Sequence, residues 1–158
     1  MKTKFETLKH HFNKEIELYN YYLCFLMTLQ TDIVEGNTKE IEALVSHFKY
    51  TEQDFIDLQK TRTGLIAWAA GIEDATFSDL EPMFTNIEFE VLSEKKDKVN
   101  QLIEDVHHYN EVNKIILESA LLFTQQRLNL YKQPQNDLYT VTGQAKENSY
   151  KNSMDCSI

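Results

Sequence analysis

The N-terminal part of the chain repeats apolar side chains at heptad spacing, with a single polar interruption. Glu15 is the only polar member of this stripe, whose other positions are Phe5, Leu8, Phe12, Tyr19, Tyr22, Leu26, Leu29 and Ile33. Because a helix returns to one face after three and four residues, the spacing predicts a long helix over residues 3–33. The sequence Glu35-Gly36-Asn37-Thr38 then predicts a tight turn into a second, antiparallel helix.

A second stripe predicts a helix over residues 38–70, in which Thr51 and Arg62 are polar interruptions. The apolar members of this stripe are Ile41, Leu44, Phe48, Phe55, Leu58 and Leu65. Further along, Thr76-Phe77-Ser78-Asp79 is typical of a capping box, and Pro82 is tolerated in the first turns of a helix. We therefore expect a short helix over residues 77–84 that forms an elbow and not a domain boundary.

The longest stripe predicts a third helix over residues 88–132. Its apolar members include Leu92, Val99, Leu102, Val106, Tyr109, Ile116, Ala120, Phe123 and Leu130. Residues 133–158 are polar and poor in apolar side chains, which predicts a disordered tail. The predicted fold class is all-α: an antiparallel hairpin of long helices plus a third long helix, in a bundle that resembles a coiled coil. Residues 1–132 would form a single domain.

The composition argues against several classes of function. The chain has 25 acidic and 16 basic residues and a net charge of −9, so we expect no nucleic-acid partner. No apolar run approaches the about 20 residues of a membrane span, so we expect no membrane insertion. With only two cysteines, the chain offers no disulfide framework, which favours a cytoplasmic location.

The sequence contains no complete set of catalytic or metal-binding residues. Glu104 and His107 form one Glu-x-x-His motif, which di-iron bundles use twice, and a second copy is missing. Gly-rich phosphate loops, Gly-x-Ser-x-Gly and Cys-x-x-Cys are also missing. We therefore predict no enzymatic activity, no metal and no cofactor. The aromatic residues Tyr19, Tyr21, Tyr22 and Phe25 are interpreted as core and not as a ligand pocket.

The third predicted helix is longer than the hairpin that would cover it. At 1.5 Å per residue it measures roughly 65 Å, against roughly 45 to 50 Å for each of the other two. The uncovered part keeps an apolar stripe, and such a stripe usually marks a binding surface unless the helix bends back or dimerises. We predict that a partner's amphipathic helix binds here, with two asparagines at the edge of the groove. The predicted contact residues are Asn110, Asn113, Ile116, Leu117, Ala120, Leu121 and Phe123.

One segment of the third helix resembles the third-helix signature of the FlgN-like flagellar export chaperones. It reads His108-Tyr109-Asn110-Glu111-Val112-Asn113-Lys114-Ile115-Ile116-Leu117-Glu118-Ser119, and the signature is Asn-x-x-Asn followed by a Leu-rich stretch. The surroundings are similar to the family as well, from the first helix to a polar tail that contains Leu138-Tyr139-Thr140-Val141-Thr142-Gly143. The resemblance spans residues 3–143.

The resemblance implies a cytosolic chaperone of type III flagellar export that binds the C-terminal helical segments of the hook-filament junction proteins (FlgK-like and FlgL-like). Such a chaperone prevents premature assembly and delivers its client to the export gate, and the export ATPase complex is a further partner to consider. By position, Asn110 and Asn113 match the paired asparagines, Leu117 the leucine that follows, and Tyr139 the tyrosine that docks on the gate. A structural coiled-coil adaptor, a related secretion chaperone with a different client, and a homodimer stay open.

Overall fold

The computed structural model of the protein describes residues 3–132, and this range contains helices and no strand. The elements are α1 (Lys4–Glu35), α2 (Thr38–His47), α3 (Glu52–Ala70), a 3-10 helix (Phe77–Met83) and α4 (Asn86–Lys132). The predicted all-α class is therefore confirmed. The predicted tail, residues 133–158, lies outside the described residues. None of the described helices combines the length and the apolar character that crossing a bilayer requires.

The turn between α1 and α2 forms as the sequence predicts. Gly36 ends α1 with φ 73°, a left-handed conformation that a residue without Cβ adopts at little cost. The Asn37 backbone N–H then donates to the Asp32 carbonyl oxygen at 2.9 Å, which satisfies one of the last carbonyls of α1. The chain reverses within a few residues, and α2 begins at Thr38.

The structure divides the single helix predicted over residues 38–70 into two. Helix α2 ends at His47, and the backbone of Phe48 is extended, with ψ 116°. Thr51 then starts α3, because its backbone N–H and its hydroxyl both donate to the Asp54 carboxylate, at 2.6 and 2.9 Å. These bonds hold the pKa of Asp54 below its ordinary value, and the bond from the Thr51 backbone N–H has the larger effect. Thr51 thus interrupts the apolar stripe because it begins a new helix.

The predicted elbow is present as a 3-10 helix and not as an α-helix. Its capping box joins Thr76 and Asp79: the Thr76 backbone N–H and hydroxyl donate to the Asp79 carboxylate at 2.7 and 2.8 Å. The helix ends at Met83, one residue before the predicted end, and Pro82 lies within its last turn. Because proline cannot donate an i→i−4 hydrogen bond, the segment stays short.

Hydrogen bonds between the helices establish their directions. Lys95 Nζ donates to Asn13 Oδ1 at 2.6 Å, and Asn113 Nδ2 donates to the Leu26 carbonyl oxygen at 2.9 Å. The order of these partners is the same along both helices, so α1 and α4 run parallel. Lys4 Nζ, at the start of α1, donates to the carbonyl oxygen of Ala69 at the end of α3, and Glu15, later in α1, accepts from Arg62, which is earlier in α3. The order of these partners is reversed, so α1 and α3 are antiparallel.

The core lies where α1, α3, the 3-10 helix and α4 meet. Its largest fully buried apolar side chains are Leu8, Phe12, Leu80, Leu92, Val99 and Leu102. All but Leu80 belong to the apolar stripes recognised in the sequence. The stripes of α1 and α4 therefore face each other across the described bundle, as heptad spacing predicts.

The chain forms two compact units, and the boundary between them falls after Leu117. The first unit holds α1, α2, α3, the 3-10 helix and α4 up to Leu117. The second unit begins at Glu118 and includes the rest of α4. A single domain over residues 1–132 stays a prediction.

Candidate functional site

The two asparagines of the signature face α1. Asn113 is buried, and its Nδ2 donates to the Leu26 carbonyl oxygen at 2.9 Å. Asn110 is half-buried, and its Oδ1 accepts a hydrogen bond of 3.3 Å from the Tyr22 hydroxyl. Both side chains therefore join α4 to α1 in this structure. Asn113 Oδ1 is buried without a hydrogen-bond partner among the described residues.

The apolar residues predicted to bind a partner are largely exposed. Ile116 is half-buried, whereas every side chain from Leu117 to Asn129 is exposed. Leu121 and Phe123 each have an exposed fraction of 60%. Arg127 lies over the Phe123 ring, 5.6 Å from its centroid, and leaves most of that side chain accessible. We call Ile116, Leu117, Ala120, Leu121 and Phe123 the α4 stripe.

The α4 stripe differs in burial from the part of α4 that precedes it. Leu92, Val99, Leu102 and Val106 occupy the same heptad pattern and are buried in the core of the first unit. Exposed leucines scattered singly on a surface need no explanation, but the exposed apolar residues here recur along one helix. Ile115, Leu122 and Leu128 add further exposed apolar side chains to the same segment. This recurrence is typical of a helix that binds another apolar surface.

The aromatic residues of α1 pack against the junction between α2 and α3. The Phe48 ring lies 4.3 Å from Phe25 and 5.3 Å from Tyr22, measured between centroids. Tyr19 belongs to the core, and Tyr22 and Phe25 pack against it. Tyr21 does not belong to the core, in contrast to the interpretation from the sequence, because it is exposed and stacks on Phe48.

Tyr19, Tyr22 and Phe48 line an open cavity of about 450 Å³ in the first unit. Four of its polar groups are paired with one another, since Gln59 Nε2 donates to the Tyr19 hydroxyl at 3.4 Å and the Tyr22 hydroxyl donates to Asn110. Burial raises the pKa of Tyr19, an effect that the Gln59 hydrogen bond opposes. The cavity thus combines aromatic rings with polar side chains such as Glu52 and His107.

A buried charged pair joins α1 to α3. The Glu15 carboxylate is fully buried, and Arg62 Nη1 donates to Glu15 Oε2 at 3.1 Å. The other oxygen, Oε1, lies 3.5 Å from His11 Nε2, which also lies 3.1 Å from the Leu58 carbonyl oxygen. The carboxylate has no opening to solvent, so this group holds two helices together and is not placed to act on a ligand.

Residues that suggested metal binding do not converge in the described part of the chain. Within residues 3–132, no three His, Cys, Asp or Glu side chains form a group that could hold a metal ion. His107 lines the aromatic cavity, and Glu104 is exposed on α4. Tyr139, the predicted gate-docking residue, lies outside the described residues.

An all-α bundle with an exposed apolar helical segment is typical of proteins that bind helical segments of other proteins. Comparison with protein families identifies which class this one is: the chain matches the family model described as FlgN protein over residues 1–147. Because the match covers most of the 158 residues, the chain belongs to the FlgN family. This is a family of flagellar export chaperones and not of enzymes. No curated protein and no solved structure matches the chain significantly.

Proposed function

We propose that the protein is a cytosolic chaperone of type III flagellar export whose clients are the hook-filament junction proteins. It binds the C-terminal helical segment of a client, prevents premature assembly, and delivers the client to the export gate, with the export ATPase complex as a further partner. Membership of the FlgN family supports the general role of flagellar export chaperone. The exposed α4 stripe is the observation that carries the binding mode.

The α4 stripe suits this role because it offers apolar side chains at helical spacing. Ile116, Ala120 and Phe123 are four and three residues apart, and Leu117 and Leu121 are again four apart, so they lie along one side of the helix. An amphipathic client helix can bury its own apolar side chains against such a surface. The proposed binding requires no chemistry, only the burial of apolar side chains of both partners.

The two asparagines have a different part in the proposal. Their observed hydrogen bonds go to Leu26 and to Tyr22, both on α1. We therefore assign the direct client contact to the apolar α4 stripe. Asn113 and Asn110 contribute by holding the preceding turns of α4 on α1, at the start of the surface that binds the client.

Leu121→Asp tests the binding site directly. Leu121 is exposed, so the change should alter the free energy of unfolding by no more than about 0.5 kcal/mol. A charge in the centre of an apolar interface should nevertheless abolish binding of the client's C-terminal segment, measured by calorimetry. Val34→Asp is the matched control, because Val34 is an exposed apolar residue on α1, and it should leave both stability and client binding intact.

Two outcomes would remove the α4 stripe from the proposal. One is a Leu121→Asp protein that melts far below wild type, which would mean that the stripe is core. The other is a folded Leu121→Asp protein that binds the client normally. Sedimentation of wild type and variant also tests the homodimer, since a self-association that Leu121→Asp abolishes would assign the stripe to a second copy.

The role of Tyr139 needs a separate measurement. Tyr139→Ala should leave both the free energy of unfolding and client binding unchanged while it reduces secretion of the junction proteins. Retention of normal secretion in the variant would remove the gate-docking role from this residue, without bearing on the α4 stripe.

A further inference from the structure

A second exposed apolar surface lies in the first unit, at the end of the bundle where α1 and α4 begin and α3 ends. Four apolar side chains there have exposed fractions of 49% or more. They are Trp68 and Ile72 at the end of α3, Met83 at the end of the 3-10 helix, and Ile87 at the start of α4. Ile87 reaches an exposed fraction of 76%. We call these four residues the elbow patch.

The packing of the 3-10 helix against α3, together with contacts of α1, places the residues of the elbow patch at the same end of the bundle. Lys4 Nζ donates to the Ala69 carbonyl oxygen at 2.9 Å and lies 5.6 Å from the centre of the Trp68 ring. The next residue, Phe5, packs edge-on against Phe84, with 6.3 Å between ring centroids. The first turn of α1 therefore lies between the end of α3 and the end of the 3-10 helix. Phe5 and Phe84 are half-buried, so they add apolar surface beside the end of the 3-10 helix.

The chain segment that carries most of the elbow patch is strongly acidic. Between Gly71 and Ile87 there are four acidic residues and no basic one: Glu73, Asp74, Asp79 and Glu81. Asp79 belongs to the capping box, whereas Glu73, Asp74 and Glu81 form no ion pair among the described residues. Three exposed carboxylates thus border exposed apolar side chains.

The described basic residues near this end are already engaged. Lys9 pairs with Glu6, at 3.6 Å between Nζ and Oε1, and its ammonium lies 5.4 Å from the centre of the Phe5 ring. Lys4 donates to a backbone carbonyl, as described above, and lies over Trp68. The position of Lys4 also shows that the accessible Trp68 ring accepts a cation on its face.

From this combination we infer that the elbow patch is a second docking surface, distinct from the α4 stripe, for a basic amphipathic segment of another protein. Apolar side chains of the segment cover Ile72, Met83 and Ile87, and its lysines or arginines pair with the bordering carboxylates. A second copy that used the same surface would bring these carboxylates close to one another, and opposed like charges disfavour such an interface. An anionic lipid surface would be repelled for the same reason.

The fluorescence of Trp68 reports directly on whether the elbow patch is covered. Trp68 is the only tryptophan in the chain, so its fluorescence reads this surface alone. The probe is a synthetic amphipathic helix of leucine and lysine without tryptophan, titrated into the full chain. We expect a saturable blue shift of the Trp68 emission, because a covering peptide removes water from the ring. The same peptide with glutamate in place of lysine should produce no shift.

Charge variants test whether binding occurs at the elbow patch or follows net charge. Glu73→Lys combined with Asp74→Lys should weaken peptide binding at least about tenfold. The matched control combines Glu40→Lys with Glu42→Lys, two exposed acids on α2, which changes the net charge equally. The control should keep the dissociation constant within about twofold of wild type. Ile87→Ser, at a highly exposed position, should weaken binding without unfolding the protein.

Three results would overturn the inference. The first is an unchanged Trp68 emission at saturating peptide. The second is an equal loss of affinity in the α2 control, because binding would then follow net charge. The third is a Trp68 shift that appears on concentrating the protein without peptide, which would mean that a second copy covers the surface. None of these measurements uses the client, so the inference and the proposed function fail independently.

Discussion

Replacing Arg62 by methionine should destabilise the protein more than any surface change, because it leaves the buried Glu15 carboxylate without its positively charged partner. The Glu15 side chain is fully buried, and its Oε2 receives the Arg62 Nη1 hydrogen bond at 3.1 Å. Methionine keeps much of the aliphatic length of arginine but can neither donate this bond nor compensate the charge. The change therefore removes one partner of a buried pair and leaves the surrounding packing largely intact.

The expected cost follows from the burial of the two partners. Breaking a buried ion pair by removing one side typically costs 3–5 kcal/mol, because the remaining charge loses its compensation. The Arg62 side chain is 20% exposed, so water already screens part of the interaction. His11 lies 3.5 Å from the other carboxylate oxygen and provides some remaining polar contact. We therefore expect about 3 kcal/mol, at the lower end of that range.

Urea unfolding, followed by far-UV circular dichroism at neutral pH, measures this loss. Lys9→Met is the matched control: Lys9 pairs with Glu6 on the surface, and exposed pairs contribute about 0–1 kcal/mol. Combining Arg62→Met with Glu15→Leu should recover most of the stability, since apolar replacement of both partners is often neutral. A loss below about 1 kcal/mol in Arg62→Met, or a double variant no more stable than the single one, would refute the reasoning.

Three further predictions concern local structure. Asn113→Ala should lower the free energy of unfolding by about 0.5–1.5 kcal/mol in urea titrations, because the hydrogen bond from Asn113 Nδ2 to the Leu26 carbonyl oxygen is lost while that carbonyl keeps its bond within α1. Gly71→Ala should cost about 1–2 kcal/mol in the same assay, since φ is 73° at this position. The lowered pKa values of Asp54 and Asp79 mean that their contribution to stability is present above the ordinary pKa of 3.8 and is lost as the pH falls through the folded values. Replacing both by asparagine should therefore flatten the acid limb of the stability profile, as thermal unfolding across pH would show.

Most helices could be predicted from the sequence because glycines and capping residues mark where they begin and end. Gly36 and Gly71 end helices at positive φ, and the capping box of Thr76 begins the elbow, as the sequence indicates. The break at Phe48 was missed, although a signal for it existed. Thr51 interrupts the second stripe and is followed three residues later by Asp54, the same arrangement that identifies the elbow. A polar residue on an apolar stripe can thus mark the start of a new helix.

The other two polar interruptions, Glu15 and Arg62, indicate a contact between two helices. Glu15 interrupts the first stripe and Arg62 the second, and they have opposite charge. In an antiparallel hairpin, early positions of the first helix lie opposite late positions of the second. Those two facts were sufficient to suggest the pair that the structure contains. The hydrogen bonds of Asn113 and Asn110 could not be anticipated in this way, because their partners, a backbone carbonyl and a tyrosine hydroxyl, carry no charge that marks them in the sequence.

Heptad spacing determines which side of α4 is apolar, but it carries no information on what covers that side. Val99 and Leu102 are covered by α1 and its neighbours, whereas Ala120 and Phe123 repeat the same period and are exposed. A protein under selection only for folding would gain nothing from the second set, since each exposed apolar side chain forgoes the about 1.5–3 kcal/mol that burial contributes. The repeated period is therefore best explained by a surface from another molecule. In a family of flagellar export chaperones, an amphipathic client helix is the occupant that we propose.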